Sequence, residues 1–91
     1  MAKVYVKIKI MPKSPETDLF KIEDAAKQII EKDGSKFHKS EIIPVAFGIK
    51  SLTLIFMRDE SKGDVETIEV DFAKISGVES VETTDVRRAF G

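Results

Sequence analysis

Residues 3 to 10 alternate without exception, with Val4, Val6, Ile8 and Ile10 on one side and Lys3, Tyr5, Lys7 and Lys9 on the other. A period of two places each set on one face of an extended chain, so the pattern predicts a strand with one buried face. The stretch "PKSPETD" ends the alternation with two prolines and supplies two competing N-caps, Ser14 before Pro15 and Asp18. Leu19, Ile22, Ala26 and Ile29 then recur at spacings of three and four, the stripe of an amphipathic helix that stops near Gly34.

The pattern becomes extended again from Lys36 to Ala46, where Pro44 points to an edge strand because it cannot donate to a ladder. Residues 49 to 57 make a further strand, with Leu52, Leu54 and Phe56 on one face and Ser51, Thr53, Ile55 and Met57 on the other. Only Phe47 and Gly48 separate the two, the length of a tight hairpin loop, and glycine at its second position accepts the positive φ such loops demand. After the polar loop "RDESKGD", with Asp64 placed to cap the next element, Ile68, Val70 and Phe72 alternate like a strand. Val65, Ile68, Phe72 and Ile75 fit a helical stripe better, and Gly77 stands where a helix would stop. The last strand, "VESVETTDVRR", carries Val81 and Val86 at opposite parity, which requires either a bulge between them or an apolar patch on the far face.

Strand, helix, strand, strand, helix, strand is two strand-helix-strand halves joined by a hairpin. Right-handed crossovers then give an α+β ferredoxin-like βαββαβ sandwich, a four-stranded antiparallel sheet with both helices on one face. The other face is left open, the first place to look for a partner. With 91 residues, the chain is expected to form a single domain over 1–91. The longest apolar run is too short to cross a bilayer, and "MAKVYVKIKI" lacks the unbroken apolar segment of a secretory signal, so a cytoplasmic location and no membrane partner are expected. The absence of cysteine removes disulfides, thiolate nucleophiles and thiolate metal sites.

A formal net charge of -1 supplies no general attraction to nucleic acid, so no direct contact with it is expected. Local clusters remain, Lys3, Lys7, Lys9 and Lys13 near the start and Arg87 with Arg88 near the end, most simply read as solubilising charges. His38 has no cysteine or carboxylate at ligand spacing, and Asp59, Glu60, Asp64 and Glu66 lack the alternation of a calcium loop, so neither a metal nor a cofactor is expected. Without a phosphate-cradling glycine loop or a nucleophile elbow, the chain reads as a binding protein rather than an enzyme. An RNA-binding module using the open sheet face through Tyr5, Lys7 and Lys9 is an alternative, weakened because Ser51, Thr53 and Ile55 cannot stack on bases. A small-molecule regulatory domain whose site forms on dimerisation is a third.

Phe47 is the residue that physics alone leaves undecided. At the tip of a tight hairpin its ring stays in water, forgoing roughly 1.5–3 kcal/mol of burial, unless a partner pocket receives it; in a longer loop it folds back over a helix end. "PVAFGIKSL", followed by "GVESVETTDVRR" at the carboxyl end, closely resembles the translation elongation factor 1-beta family in the short form typical of archaea. The family pattern is P-[IV]-[AG]-F-G-[IL]-K-x-L before the third strand and V-x-[ST]-x-D-[IV] in the last, and the resemblance extends over essentially the whole chain. It implies a guanine-nucleotide exchange factor that promotes GDP release from the GTPase elongation factor 1-alpha by disturbing its magnesium and phosphate surroundings. The resemblance also implies that Phe47 is exposed and enters a pocket on that GTPase. The partner-binding set it carries is Ala46, Phe47, Gly48 and Lys50 from the first motif and Asp85, Arg87, Arg88 and Phe90 from the carboxyl end. Eukaryotic relatives place a lysine beside the carboxyl terminus in the magnesium region, whereas this chain ends "DVRRAFG". Either Arg87 or Arg88 supplies the charge with a different geometry, or the metal is displaced in another way; Phe90 is either an anchor or part of a frayed end.

Overall fold

A computed structural model of the chain describes residues 2–89. Its elements are β1 (Lys3–Pro12), α1 (Leu19–Lys32), β2 (Lys36–Ala46), β3 (Ile49–Asp59), a 3-10 turn (Glu60–Lys62), α2 (Glu66–Ala73) and β4 (Val78–Ala89). The strands form one antiparallel sheet in the order β2-β3-β1-β4, which is the ferredoxin-like sandwich and places Pro44 on an edge strand. The core lies between the sheet and the two helices. Val6, Ile8 and Ile10 of β1 and Leu52, Leu54 and Phe56 of β3 meet Ile22, Ala26 and Ile30 of α1 and Ile68 and Phe72 of α2, all fully buried. Since burying each such side chain is worth about 1.5–3 kcal/mol, this single cluster dominates the stabilisation of the fold.

Several details depart from the sequence reading or resolve it. Asp18, not Ser14, caps α1, its carboxylate accepting from the Phe20 and Lys21 backbone N–H groups; Ser14 instead bonds to Thr17 within the preceding turn. Ile30 rather than Ile29 completes the buried stripe of α1, because Ile22, Ala26 and Ile30 keep a strict spacing of four under the sheet while Ile29 rotates to the margin. The segment read as either strand or helix is helical, and Asp64 accepts from the Glu66 N–H at 2.8 Å to hold its first turn. A bulge at Thr84 reconciles the parity of the last strand. Lys7 pairs with Asp85 and Ile8 with Thr83, so Val81 opposite Ile10 and Val86 opposite Val6 share the helix-facing side.

β3 continues its alternation one step beyond the apolar residues to Arg58, which is only 3% exposed. Its guanidinium donates to Asp33 Oδ2 at 3.1 Å and to the carbonyls of Gly63 and Asp64 at 2.9 and 2.8 Å. The end of α1, the 3-10 turn and the start of α2 are thereby tied to one cation. Gly77 joins α2 to β4 at φ 91°, and a Cβ there would lie 2.8 Å from Thr17 Cγ2, so both conformation and space require glycine.

Candidate functional site

The β2–β3 hairpin closes at the Ala46–Ile49 pair, leaving Phe47 and Gly48 as its two loop residues. Both have positive φ, 53° and 76°, the signature of a type I′ turn whose twist matches the flanking strands. Glycine adopts that conformation freely. Phenylalanine does not: a left-handed φ costs a residue with a Cβ roughly 1–2 kcal/mol, and Phe47 is the one non-glycine residue with positive φ among those described. Its ring is 97% exposed. The chain therefore carries two costs at one position, a strained backbone and a fully wetted aromatic ring, and nothing within the fold offsets either.

The surroundings of the tip are also apolar. Ile42, Ile43 and Val45 on the edge strand and Phe20 on the first turn of α1 are all exposed. Lys50, opposite Pro44 across the hairpin, is the exposed cation beside the tip.

The residues expected at the carboxyl end lie elsewhere. β3 and β4 both run antiparallel to β1, so the hairpin tip sits at the end of the sheet near Ile10 and Pro12, while Arg87 and Arg88 stand opposite Tyr5 and Val4 at the other end. The length of the 11-residue β3, roughly 33 Å at the usual rise, separates the two groups. Arg87 lies on the open sheet face and is paired with Asp85 at 2.8 Å; Arg88 lies on the helix-facing side and donates to Glu60 Oε1 at 2.7 Å. That hydrogen bond, and next the charge of Glu60, raises the guanidinium pKa above its ordinary value and keeps its proton fixed. At the same end, hydrogen bonds from the Ser61 backbone and hydroxyl hold the Asp59 carboxyl below the ordinary carboxylate value, with Lys3 at 3.8 Å adding to the effect. Phe90 falls outside the described residues.

The open sheet face is less open than the strand pattern suggests. Ser51, Thr53 and Ile55 point to that side yet are buried; Lys7 and Lys9 of β1 and Glu41 and Ile43 of β2 flank Ser51 and Thr53, and the Ser51 hydroxyl donates to the Ile43 carbonyl. Tyr5, also on that face, makes a T-shaped contact with His38, their ring centroids 5.8 Å apart. Among the described residues no cluster of three potential metal ligands occurs, and no helix is long and apolar enough to cross a membrane.

Residues 5–89 match the family profile described as the EF-1 guanine nucleotide exchange domain. The chain is 41% identical over 88 residues to elongation factor 1-beta of Methanobrevibacter smithii, covering 97% of this chain and 98% of that protein. It is 40% identical over 90 residues to elongation factor 1-beta of Methanocella arvoryzae, covering 99% and 100%. In three dimensions it is similar to the ACT domain of the GTP pyrophosphokinase of Chlorobium tepidum, with a TM-score of 0.58 at 20% identity over 89% of this chain and 97% of that one. At that identity the likeness speaks for the fold alone.

Proposed function

The chain belongs to the EF-1 guanine nucleotide exchange family, and from that premise we propose that its hairpin tip docks on the GTPase elongation factor 1-alpha. It is a nucleotide exchange factor of translation elongation, and such a factor works by binding a GTPase. Exchange needs no covalent step from this chain. A protein that binds the nucleotide-free GTPase more tightly than the GDP-bound form weakens GDP by the same factor, since the coupling is reciprocal. In this reading the whole of 1–91 acts as one exchange domain in the cytoplasm, without a metal or cofactor of its own.

The observation that supports the docking surface is the Phe47 ring, 97% exposed at φ 53°. Strain and exposure at one residue are characteristic of positions kept for a partner, where a pocket recovers the burial energy. Ala46, Gly48 and Lys50 hold and flank the ring. The carboxyl end makes a second contact: Arg87 pairs with Asp85 and Arg88 with Glu60 at the solvent-exposed surface, where water screens the charges enough for a partner carboxylate or phosphate to replace Asp85 or Glu60. Phe90 is included in that contact as an anchor.

Release of labelled GDP from elongation factor 1-alpha, with and without the protein, tests this directly. Phe47→Ala is expected to fold normally and to lose most of the stimulation, by about tenfold or more in catalytic efficiency. Wild-type stimulation by Phe47→Ala would remove the hairpin tip from the site.

A further inference from the structure

Helix α1 and edge strand β2 run antiparallel and meet in three rungs, two closed and one open. Phe20, Glu23 and Lys27 share a helix face by their spacing of three and four. Lys27 Nζ lies 4.7 Å above the Phe37 ring, and Glu23 accepts a hydrogen bond from the Ser40 hydroxyl. The third rung, nearest the hairpin, is Phe20 beside Ile42. Instead of closing it forms a groove of about 410 Å³ whose apolar walls are Pro12, Leu19, Phe20 and Ile42 and whose lining also includes the polar Ser14, Thr17, Asp18 and Lys50, with Gly48 at the hairpin. Phe20 is 72% exposed and Ile42 43%.

Nothing in the helix demands a phenylalanine at position 20. It is one residue off the buried stripe, its backbone N–H is already satisfied by the Asp18 carboxylate, and a lysine or glutamine would be the better choice for an exposed first turn. The groove is also continuous with the hairpin tip, since Gly48 and Lys50 line it directly beside Phe47. On the α1 side of the hairpin, Phe20 and Ile42 place exposed apolar surface next to Phe47, while Ile43 and Val45 are exposed on the opposite face of the sheet.

We propose that the open third rung is a receptor groove for an apolar side chain of the same GTPase, with Phe20 and Ile42 as its walls. The contact is then reciprocal: the exchange factor inserts Phe47 into the partner and receives a partner side chain between α1 and the hairpin. Two interlocking anchors fix the orientation of docking, which a single ring at a hairpin tip cannot do. This inference rests on the exchange reading above.

The test is the catalytic efficiency of GDP release with Phe20→Gln, Phe20→Leu and Phe47→Ala measured side by side. Phe20→Gln keeps a helix-forming residue but removes the apolar wall, and is expected to lower efficiency by about tenfold at an unchanged melting temperature. Phe20→Leu restores most of that loss. Because the contact is apolar, the ratio of wild-type to Phe20→Gln efficiency stays constant between low and high salt. If Phe20→Gln stimulates exchange at the wild-type level while Phe47→Ala does not, the groove lies outside the interface and the proposal is overturned with the hairpin reading intact. If neither variant is impaired, the hairpin reading itself fails and takes the groove with it. A fall in melting temperature for Phe20→Gln would make Phe20 a packing residue, and a wild-type dimer that Phe20→Gln dissociates would make a second copy the occupant; either result also overturns the proposal.

Discussion

Phe47 shows how a single residue sets stability against function. The type I′ turn at this position favours asparagine or glycine at both loop positions, yet the chain places a phenylalanine there at φ 53°. Phe47→Asn should therefore raise the unfolding free energy by about 1 kcal/mol, read from urea denaturation, while stimulation of GDP release falls as steeply as with Phe47→Ala. A destabilised Phe47→Asn protein would mean that the ring contributes to the native fold. The identity of the pair as a hairpin loop was legible from two residues between two strand patterns. Local pattern left the direction of the ring open, because a longer loop with the ring folded over a helix end satisfies it equally; the elongation factor 1-beta resemblance implied exposure, and Phe47 is 97% exposed.

At the scale of elements, the helices and strands follow from apolar period, but what joins them involves residues that the period treats as polar. Arg58 occupies the core-facing parity of β3, and only the approach of the α1 end and the 63–64 backbone makes a charge tolerable there. Arg58→Met is expected to cost about 3–5 kcal/mol in urea or thermal unfolding, because it removes the cation paired with the Asp33 carboxylate, which is left with the Ser35 hydroxyl, and the guanidinium donor of the Gly63 and Asp64 carbonyls. The same variant, assayed well below its melting temperature, should retain exchange activity, since Arg58 lies at the end of β3 remote from the hairpin. The α1–β2 junction was illegible for a similar reason. Phe20 sits beside a clear helical stripe and reads as an incidental surface aromatic; its significance appears only when Ile42, 22 positions later, is brought opposite it.

The whole molecule is elongated, 42 Å by 21 Å by 17 Å, with the hairpin tip at one end of the sheet and Arg87 and Arg88 at the other. Contacts roughly 33 Å apart share no side chains, so their energetic effects should be independent. Phe47→Ala combined with Arg87→Ala and Arg88→Ala should lower the efficiency of exchange by the product of the separate factors, to within about twofold. A combined loss no greater than that of Phe47→Ala alone would show that the carboxyl-end arginines contribute nothing to docking.

Alternation in β1 and β3, the α1 stripe, the two-residue loop and the elongation factor 1-beta motifs determined the fold and the family from the sequence alone, because each depends on residues close together in the chain. Tertiary structure decided the rest: that Phe47 is held out in water, that Arg87 and Arg88 lie at the opposite end of the sheet with Asp85 midway along it, and that a groove opens between Phe20 and Ile42. Those facts depend on strand direction, on a bulge at Thr84 and on how far a helix closes against an edge strand. No local pattern encodes them, since the free energies involved belong to contacts between segments distant in the chain.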